Sequence, residues 1–286
     1  MSILDTASKP VSQAPIITIV GFPGSGKTSL AGLFPNPVFI QAENAQTVFD
    51  MWPDEKKPSM LPQLPAASKV KGIRTTETLK SYFIALLQEE HTYKTVVIDS
   101  ISSLNIMLEA EVVEFDDKNA DSIGNAAGGY HNGYNVSMGM HSIIIRAAEA
   151  LQKRGIAVVF LCHTGSIKMK NQPDESKDYS AFSLDMHERS RKLYVSKSDA
   201  VLYLKQEQFL MGGATDKKGV QTKTARVQTS GDRILITSSD GTVGYIDAKN
   251  RYELPEELKV NKGENPLIEL IPFFNKPVPS LKTQEA

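Results

Sequence analysis

Gly21, Gly26, Lys27 and Thr28 stand at the spacing G-x-x-x-x-G-K-[ST], inside Gly21-Phe22-Pro23-Gly24-Ser25-Gly26-Lys27-Thr28. That spacing marks a loop that wraps a polyphosphate. Each residue type has a reason. Glycines let the backbone turn tightly, with N–H groups aimed inward at an anion. A helix starting at the end of the loop adds a partial positive charge beneath the phosphates. Lys27 neutralises the β- and γ-phosphates, and the Thr28 hydroxyl binds Mg2+. The nucleotide-binding set is taken as Gly21, Phe22, Pro23, Gly24, Ser25, Gly26, Lys27, Thr28 and Ser29. From average residue frequencies the four fixed positions coincide about once per hundred chains of this length. The β-branched run in front of the loop makes chance rarer still.

A second fixed point is Asp99, which ends the run Thr95-Val96-Val97-Ile98. An acid at the carboxyl end of a buried strand beside such a loop is where a Mg2+ carboxylate belongs, so Thr28 and Asp99 form the expected metal pair. Many P-loop ATPases place a glutamate directly after that aspartate, but residue 100 here is serine. Glu43 follows the second strand, and residues just past strand ends all face one crevice, so Glu43 is the candidate that activates the attacking water. His163, at the end of Phe160-Leu161-Cys162-His163, faces the γ-phosphate region by the same geometry and is the candidate phosphate sensor. Cys162 alternates away from it and reads as core.

The elements that position these groups follow from periodicity. Residues 16–20, 38–41, 95–98 and 157–162 are short apolar runs of the kind buried in a parallel sheet. Residues 28–33, 75–90, 102–115 and 142–154 read as helices; Leu79, Tyr82, Phe83, Leu86 and Leu87 share one face of the second. Strands alternating with helices predict an α/β fold with a mainly parallel central sheet and helices on both faces. After residues 201–204 the pattern changes to alternating segments, 222–228, 233–237 and 242–247. Turns at 230–232 and 239–241 would join them into an antiparallel C-terminal meander at one edge of the sheet. The expected organisation is a flexible tail (1–14), a single domain (15–274) and a disordered tail (275–286). Within the domain lie a Pro-rich insertion (50–70) and two mobile loops (119–137 and 164–190).

The chain has 286 residues and a net charge of -1, with 41% hydrophobic and 23% charged residues. That suits a folded globular protein rather than a disordered one, and it neither signals nor excludes nucleic acid. A single cysteine excludes an internal disulfide, and no apolar run reaches the length of a membrane span. The start of the chain does not read as a signal peptide, so a cytoplasmic address without membrane contact is expected.

Val97-Ile98-Asp99-Ser100-Ile101-Ser102-Ser103-Leu104 resembles the metal-binding strand of RecA and bacterial RadA. His163-Thr164-Gly165 resembles the RadA strand end that leads into a DNA-binding loop, and Lys249-Asn250-Arg251-Tyr252 resembles the RadA Lys-Asn-Arg-Phe motif at a subunit boundary. The stretch 248–258 also looks like the end of small phage-encoded RecA-like ATPases, some of them single-strand annealing proteins. The resemblance covers roughly residues 15–260. The sequence departs from the resemblance in lacking RadA's zinc-binding cysteines and protease-like domain, and RecA's N-terminal packing helix and strand, which leaves a ring or a smaller oligomer as open as a filament. It implies a RecA-like ATPase core, with ATP and Mg2+ as cofactors. It further implies single-stranded DNA, a homo-oligomer and a single-stranded-DNA-binding protein as partners, in the host cytoplasm if phage-encoded. By the same resemblance Lys249 and Arg251 reach the γ-phosphate of a neighbouring subunit, and the two long loops touch DNA. Tyr130, His131 and Tyr134 of the first would stack on bases; Lys168 and Lys170 of the second would meet phosphates.

Other readings are a nucleotide-stabilised assembly or packaging component without DNA-stimulated turnover, a small-molecule kinase, and a GTPase switch. The kinase lacks an arginine-rich lid in either long loop. The switch lacks the glycine three residues after Asp99, where Ser102 stands.

Overall fold

The computed structural model of the chain describes residues 12–169, 179–211, 214–215, 221–223, 226–238 and 247–275, with residues 4 and 7. β1 (Ile16–Gly21) lies inside the main sheet, parallel to β5 (Ala157–Met169) on one side and β7 (Ala200–Met211) on the other. β4 (Thr95–Asp99), β2 (Pro37–Gln41) and β3 (Ser59–Met60) continue outward from β5, all parallel. Beyond β7 the sheet turns antiparallel through β10 (Arg226–Ile236) and β12 (Glu257–Val260). β6 (Tyr179–Leu184) pairs with the far half of β5, and β11 (Lys249–Asn250) pairs with the start of β7. β8 (Ala214–Thr215) and β9 (Gln221–Lys223) form a separate small ladder.

Seven helices accompany these strands in the described residues: α1 (Lys27–Ala31), α2 (Thr75–Gln88), α3 (Ile101–Glu114), α4 (Gly133–Lys153), α5 (Glu188–Lys197), α6 (Pro266–Leu270) and α7 (Pro272–Asn275). The parallel strands are apolar at successive positions because both faces of the sheet are covered. Val96, Ile98, Val158 and Phe160 pack with Leu79, Phe83 and Leu86 of α2, and with Leu104, Leu108, Ile144 and Tyr194 of α3, α4 and α5. Ile17, Ile19, Val97, Val159 and Leu161 point the other way, onto Leu30 and Ala31 of α1 and Leu267 of α6. Each fully buried aliphatic or aromatic side chain stabilises the fold by roughly 1.5–3 kcal/mol. Inside the first layer His141 is fully buried between the Tyr194 hydroxyl (2.8 Å) and Asn105 Oδ1 (3.1 Å), and burial pushes its pKa down to about 4. Among the described residues no helix is long and apolar enough to cross a membrane.

Four expectations are corrected. Residues 230–232 are not a hairpin turn: β10 runs straight through them, and the register against β7 shifts between Thr229 and Arg233. Gly231 has φ 83° and the Ser230 hydroxyl accepts from Asp232 N, local chemistry that serves a bulge as well as a turn. Residues 164–169 and 179–190 are strand and helix rather than loop for most of their length, because β5 continues to Met169 and pairs back with β6 before α5 begins, while residues 170–178 lie outside the described residues. The first loop ends early, since α4 starts at Gly133, not at residue 142. That loop is organised by Asp116, whose carboxylate accepts from the N–H groups of Lys118, Ala120 and Ala127. The Pro-rich stretch also contributes an edge strand, β3. The expected strand 242–247, apart from its last residue, and the turn 239–241 lie outside the described residues, as do most of both expected tails.

Candidate nucleotide-binding site

The site forms where the parallel strands end. β1 delivers the chain into the loop 22–26, which turns on a Ser25 N to Phe22 O hydrogen bond of 3.1 Å and enters α1 at Lys27. Two glycines are sterically required. Gly26 has φ 94°, in the left-handed region. A β-carbon on Gly21 would lie 2.5 Å from the Leu204 carbonyl oxygen and 2.6 Å from Ser25 Oγ. Lys27 is buried at the crevice floor, its Nζ donating to the carbonyls of Gly21 (2.8 Å) and Phe22 (3.1 Å), and burial lowers its pKa.

The register explains what meets Lys27. Gly21 pairs with His163 across β1 and β5, Asp99 pairs with Leu161 across β4 and β5, and Gln41 pairs with Asp99 across β2 and β4. The Asp99 carbonyl then accepts from both Ala42 N (2.8 Å) and Glu43 N (3.2 Å), which fixes Glu43 at the same edge. Thr28 Oγ1 donates to Asp99 Oδ2 at 2.7 Å. Burial raises the Asp99 pKa to about 6, against the hydrogen bond from Thr28 and with the help of the Glu43 charge. Glu43 Oε2 accepts from Ser103 Oγ at 2.8 Å and lies 3.5 Å from His163 Nε2. The His163 hydrogen bond, aided by that of Ser103, outweighs partial burial and holds the Glu43 carboxyl down at about 2. His163 is itself fixed by its backbone N–H on Ser102 Oγ (3.0 Å).

Lys27, Thr28, Asp99, Glu43 and His163 thus line one cavity of about 330 Å3, with Gly24, Gly26 and Ser29. The residues fit a Mg-nucleotide on two counts. Ser25 Oγ and His163 Nδ1 are buried polar atoms without a hydrogen-bond partner among the described residues, in the cradle and beside it. The Thr28 hydroxyl and Asp99 carboxylate are hard oxygen donors of the kind Mg2+ takes along with phosphate and water. A bound Mg2+ would neutralise charge on the phosphates, and the chain's own groups would position the phosphates and the water. Cys162, as expected, is core, its Sγ 3.2 Å from Ser102 Oγ and its thiol pushed up to about 12 by burial.

The remaining residues lie elsewhere. α4 runs back to feed β5, so its N-terminus, with the loop before it, lies at the same edge of the sheet as the crevice. There Tyr130 is fully exposed, the His131 and Tyr134 rings stack at 6.1 Å, and Tyr134 stacks on His187 at 3.9 Å and 13°. Arg189 donates to Asn135 Oδ1 (2.7 Å) alongside. Lys168 falls on β5 within the β5–β6 hairpin, and Lys170 lies outside the described residues. Lys249 and Arg251 are not in the crevice. They lie by the start of β7, at the opposite edge of the sheet. Lys249 Nζ donates to the Val195 and Ser196 carbonyls, and Arg251 pairs with Asp199 at 3.1 Å.

Sequence reasoning missed Ser103 and Arg233 among the polar groups at the crevice. Ser103 was findable, four residues past Asp99 on a helix that points back at Glu43. Arg233, which also lines the cavity, carried no local signal, because its approach depends on sheet order and on the bulge in β10.

No curated protein shows a match to the chain. Residues 13–252 match the AAA domain (AAA_24), a span that takes in the loop, Asp99, Glu43, His163 and Arg233. That match covers most of the chain, and it agrees with the geometry of a P-loop ATPase: the chain belongs to the AAA domain family.

Proposed function

We propose that the protein is a Mg-dependent, RecA-like ATPase that acts on single-stranded DNA in recombination or annealing, as an oligomer in the cytoplasm of a phage-infected host. The observation that carries the reading is the convergence of Lys27, Thr28, Asp99, Glu43 and His163 on one cavity at the carboxyl edge of the sheet. Lys27 and the loop hold the phosphates, and Thr28 with Asp99 hold the metal. Glu43 orients and deprotonates the attacking water. His163 contacts Glu43 and leads directly into the β5–β6 hairpin, and through that connection it reports the state of the phosphate to the hairpin.

Single-stranded DNA is drawn to the same edge, where Tyr130 and the His131–Tyr134–His187 rings offer flat faces to bases. Lys168 and Lys170 would meet the backbone phosphates. Lys249 and Arg251 sit too far from the crevice of their own chain to serve it, so a phosphate role for them requires a neighbouring subunit. A single-stranded-DNA-binding protein is the expected further partner. The test is ATP hydrolysis titrated against protein concentration, with and without single-stranded DNA. Turnover that rises more than linearly with protein and is stimulated by DNA supports the reading; absence of both DNA binding and stimulation at low salt ends it.

A second reading has one observation in its favour. Glu43 is held ionised at about 2, which makes it a weak base, and a nucleotide-stabilised assembly component would need no base at all.

A further inference from the structure

We propose that Arg233 is a phosphate ligand supplied by the same chain, which clamps the α- and β-phosphates of the nucleotide from the side opposite the metal. The inference rests on the reading of the crevice as a nucleotide site. Arg233 lies on β10, opposite Gln206 of β7 and Val260 of β12. Leu235, two residues on and therefore on the same face of the strand, packs in the layer that contains Leu30 and Ala31 of α1. Arg233 consequently overhangs the start of α1. A β-carbon on Gly26 would lie 2.6 Å from the guanidinium carbon and 3.1 Å from Nε, so the cation rests directly against the phosphate loop.

This guanidinium has no hydrogen-bond or ion-pair partner among the described residues. Its neighbours do. Lys259 takes the adjacent Asp232 at 2.8 Å, Lys205 takes Glu257 at 3.9 Å, and Glu264 is bonded to Asn261. A half-buried arginine that leaves nearby carboxylates to other groups and lines a phosphate cavity has its donors available for an anion. The planar fork suits two phosphate oxygens at once. Sheet order decides which phosphates. β10 and β4 lie on opposite sides of β1, so Arg233 and Asp99 approach the loop from opposite sides. Asp99, Glu43 and His163 mark the γ-phosphate end, which leaves Arg233 the α/β end. It also borders a second cavity of about 180 Å3, shared with Ser29 and Trp52.

The experiment is equilibrium binding of Mg-ATP and Mg-ADP to the full chain, wild type against Arg233→Ala and Arg233→Lys, with thermal melts as a folding control. Arg233→Ala should weaken ATP and ADP alike, by roughly 10- to 100-fold, the loss expected for a charged hydrogen-bonding group. Arg233→Lys should recover part of it, since a point charge replaces a fork. An Arg233→Ala protein that melts like wild type and binds ADP as tightly overturns the proposal, as does a loss confined to ATP or to turnover. Wild-type protein that binds neither nucleotide overturns the nucleotide reading itself and the clamp with it, an outcome distinct from the others.

Discussion

Glu43→Gln separates an ATPase from a nucleotide-holding protein. The substitution keeps the size of the side chain and removes its charge and its capacity to take a proton. At neutral pH Glu43 is fully ionised, because its carboxyl is held at about 2 by His163 and Ser103. If it takes the proton of the attacking water, its loss should lower kcat by about 10²–10⁴, the usual contribution of a positioned general base. That range corresponds to roughly 3–5.5 kcal/mol of barrier. Nucleotide binding should not suffer. The Glu43 charge is one of the causes that raise the Asp99 pKa, so removing it makes the metal carboxylate easier to ionise. Steady-state hydrolysis of Mg-ATP, paired with equilibrium binding of the same nucleotide, reads both quantities. Turnover within about threefold of wild type, far inside the loss expected for a base, refutes the role of Glu43 and favours the assembly reading. A fall in binding that parallels the fall in turnover makes Glu43 a support of the crevice and not its base.

His141→Gln should flatten the acid limb of stability. In the unfolded chain this imidazole protonates near 6.5, but in the folded protein only at about 4, so the unfolded state binds the extra proton in between. Wild-type stability should therefore fall as pH drops from about 6.5 to 4, by up to about 3 kcal/mol, and denaturant melts across that window should show a shallower slope for the variant. Gly21→Ala forces a methyl against the Leu204 carbonyl and should cost about 1–3 kcal/mol, seen as a lower melting temperature; a melt identical to wild type would mean that β7 yields without penalty. Arg251→Ala breaks an exposed pair with Asp199 and should cost under about 1 kcal/mol of stability. If Arg251 serves a neighbouring subunit, the same variant should lose the steep dependence of hydrolysis on protein concentration, and an unchanged dependence removes it from that role.

What was legible depended on how local the cause was. The phosphate loop, Asp99 and the placement of Glu43 and His163 followed from short runs, because a parallel sheet sends every strand end to the same edge. The β5–β6 hairpin was hidden by its polar composition. A ribbon that projects past the sheet need not be apolar, so residues 164–169 lacked the pattern of a buried strand. The bulge in β10 used the same Ser-Gly-Asp chemistry as a turn, and only its pairing with β7 on both sides distinguishes the two. The early start of α4 was masked by Gly133, which read as loop but is accommodated in a helix anchored by Ile144, Ala148 and Leu151.

The charge balance of the crevice shows why a cation from a distant strand matters. Asp99 and Glu43 supply two carboxylates, and Lys27 alone would leave the cavity net negative towards a polyphosphate. In the proposed mechanism both carboxylates are required, Asp99 for the metal and Glu43 for the water. Another approach is from the far side of β1, where the sheet has become antiparallel and β10 runs past the start of α1. Arg233 occupies that approach, with the adjacent Asp232 carboxylate already engaged by Lys259. The antiparallel extension of the sheet therefore does more than cover an edge: it sets a second positive charge, Arg233, against the loop.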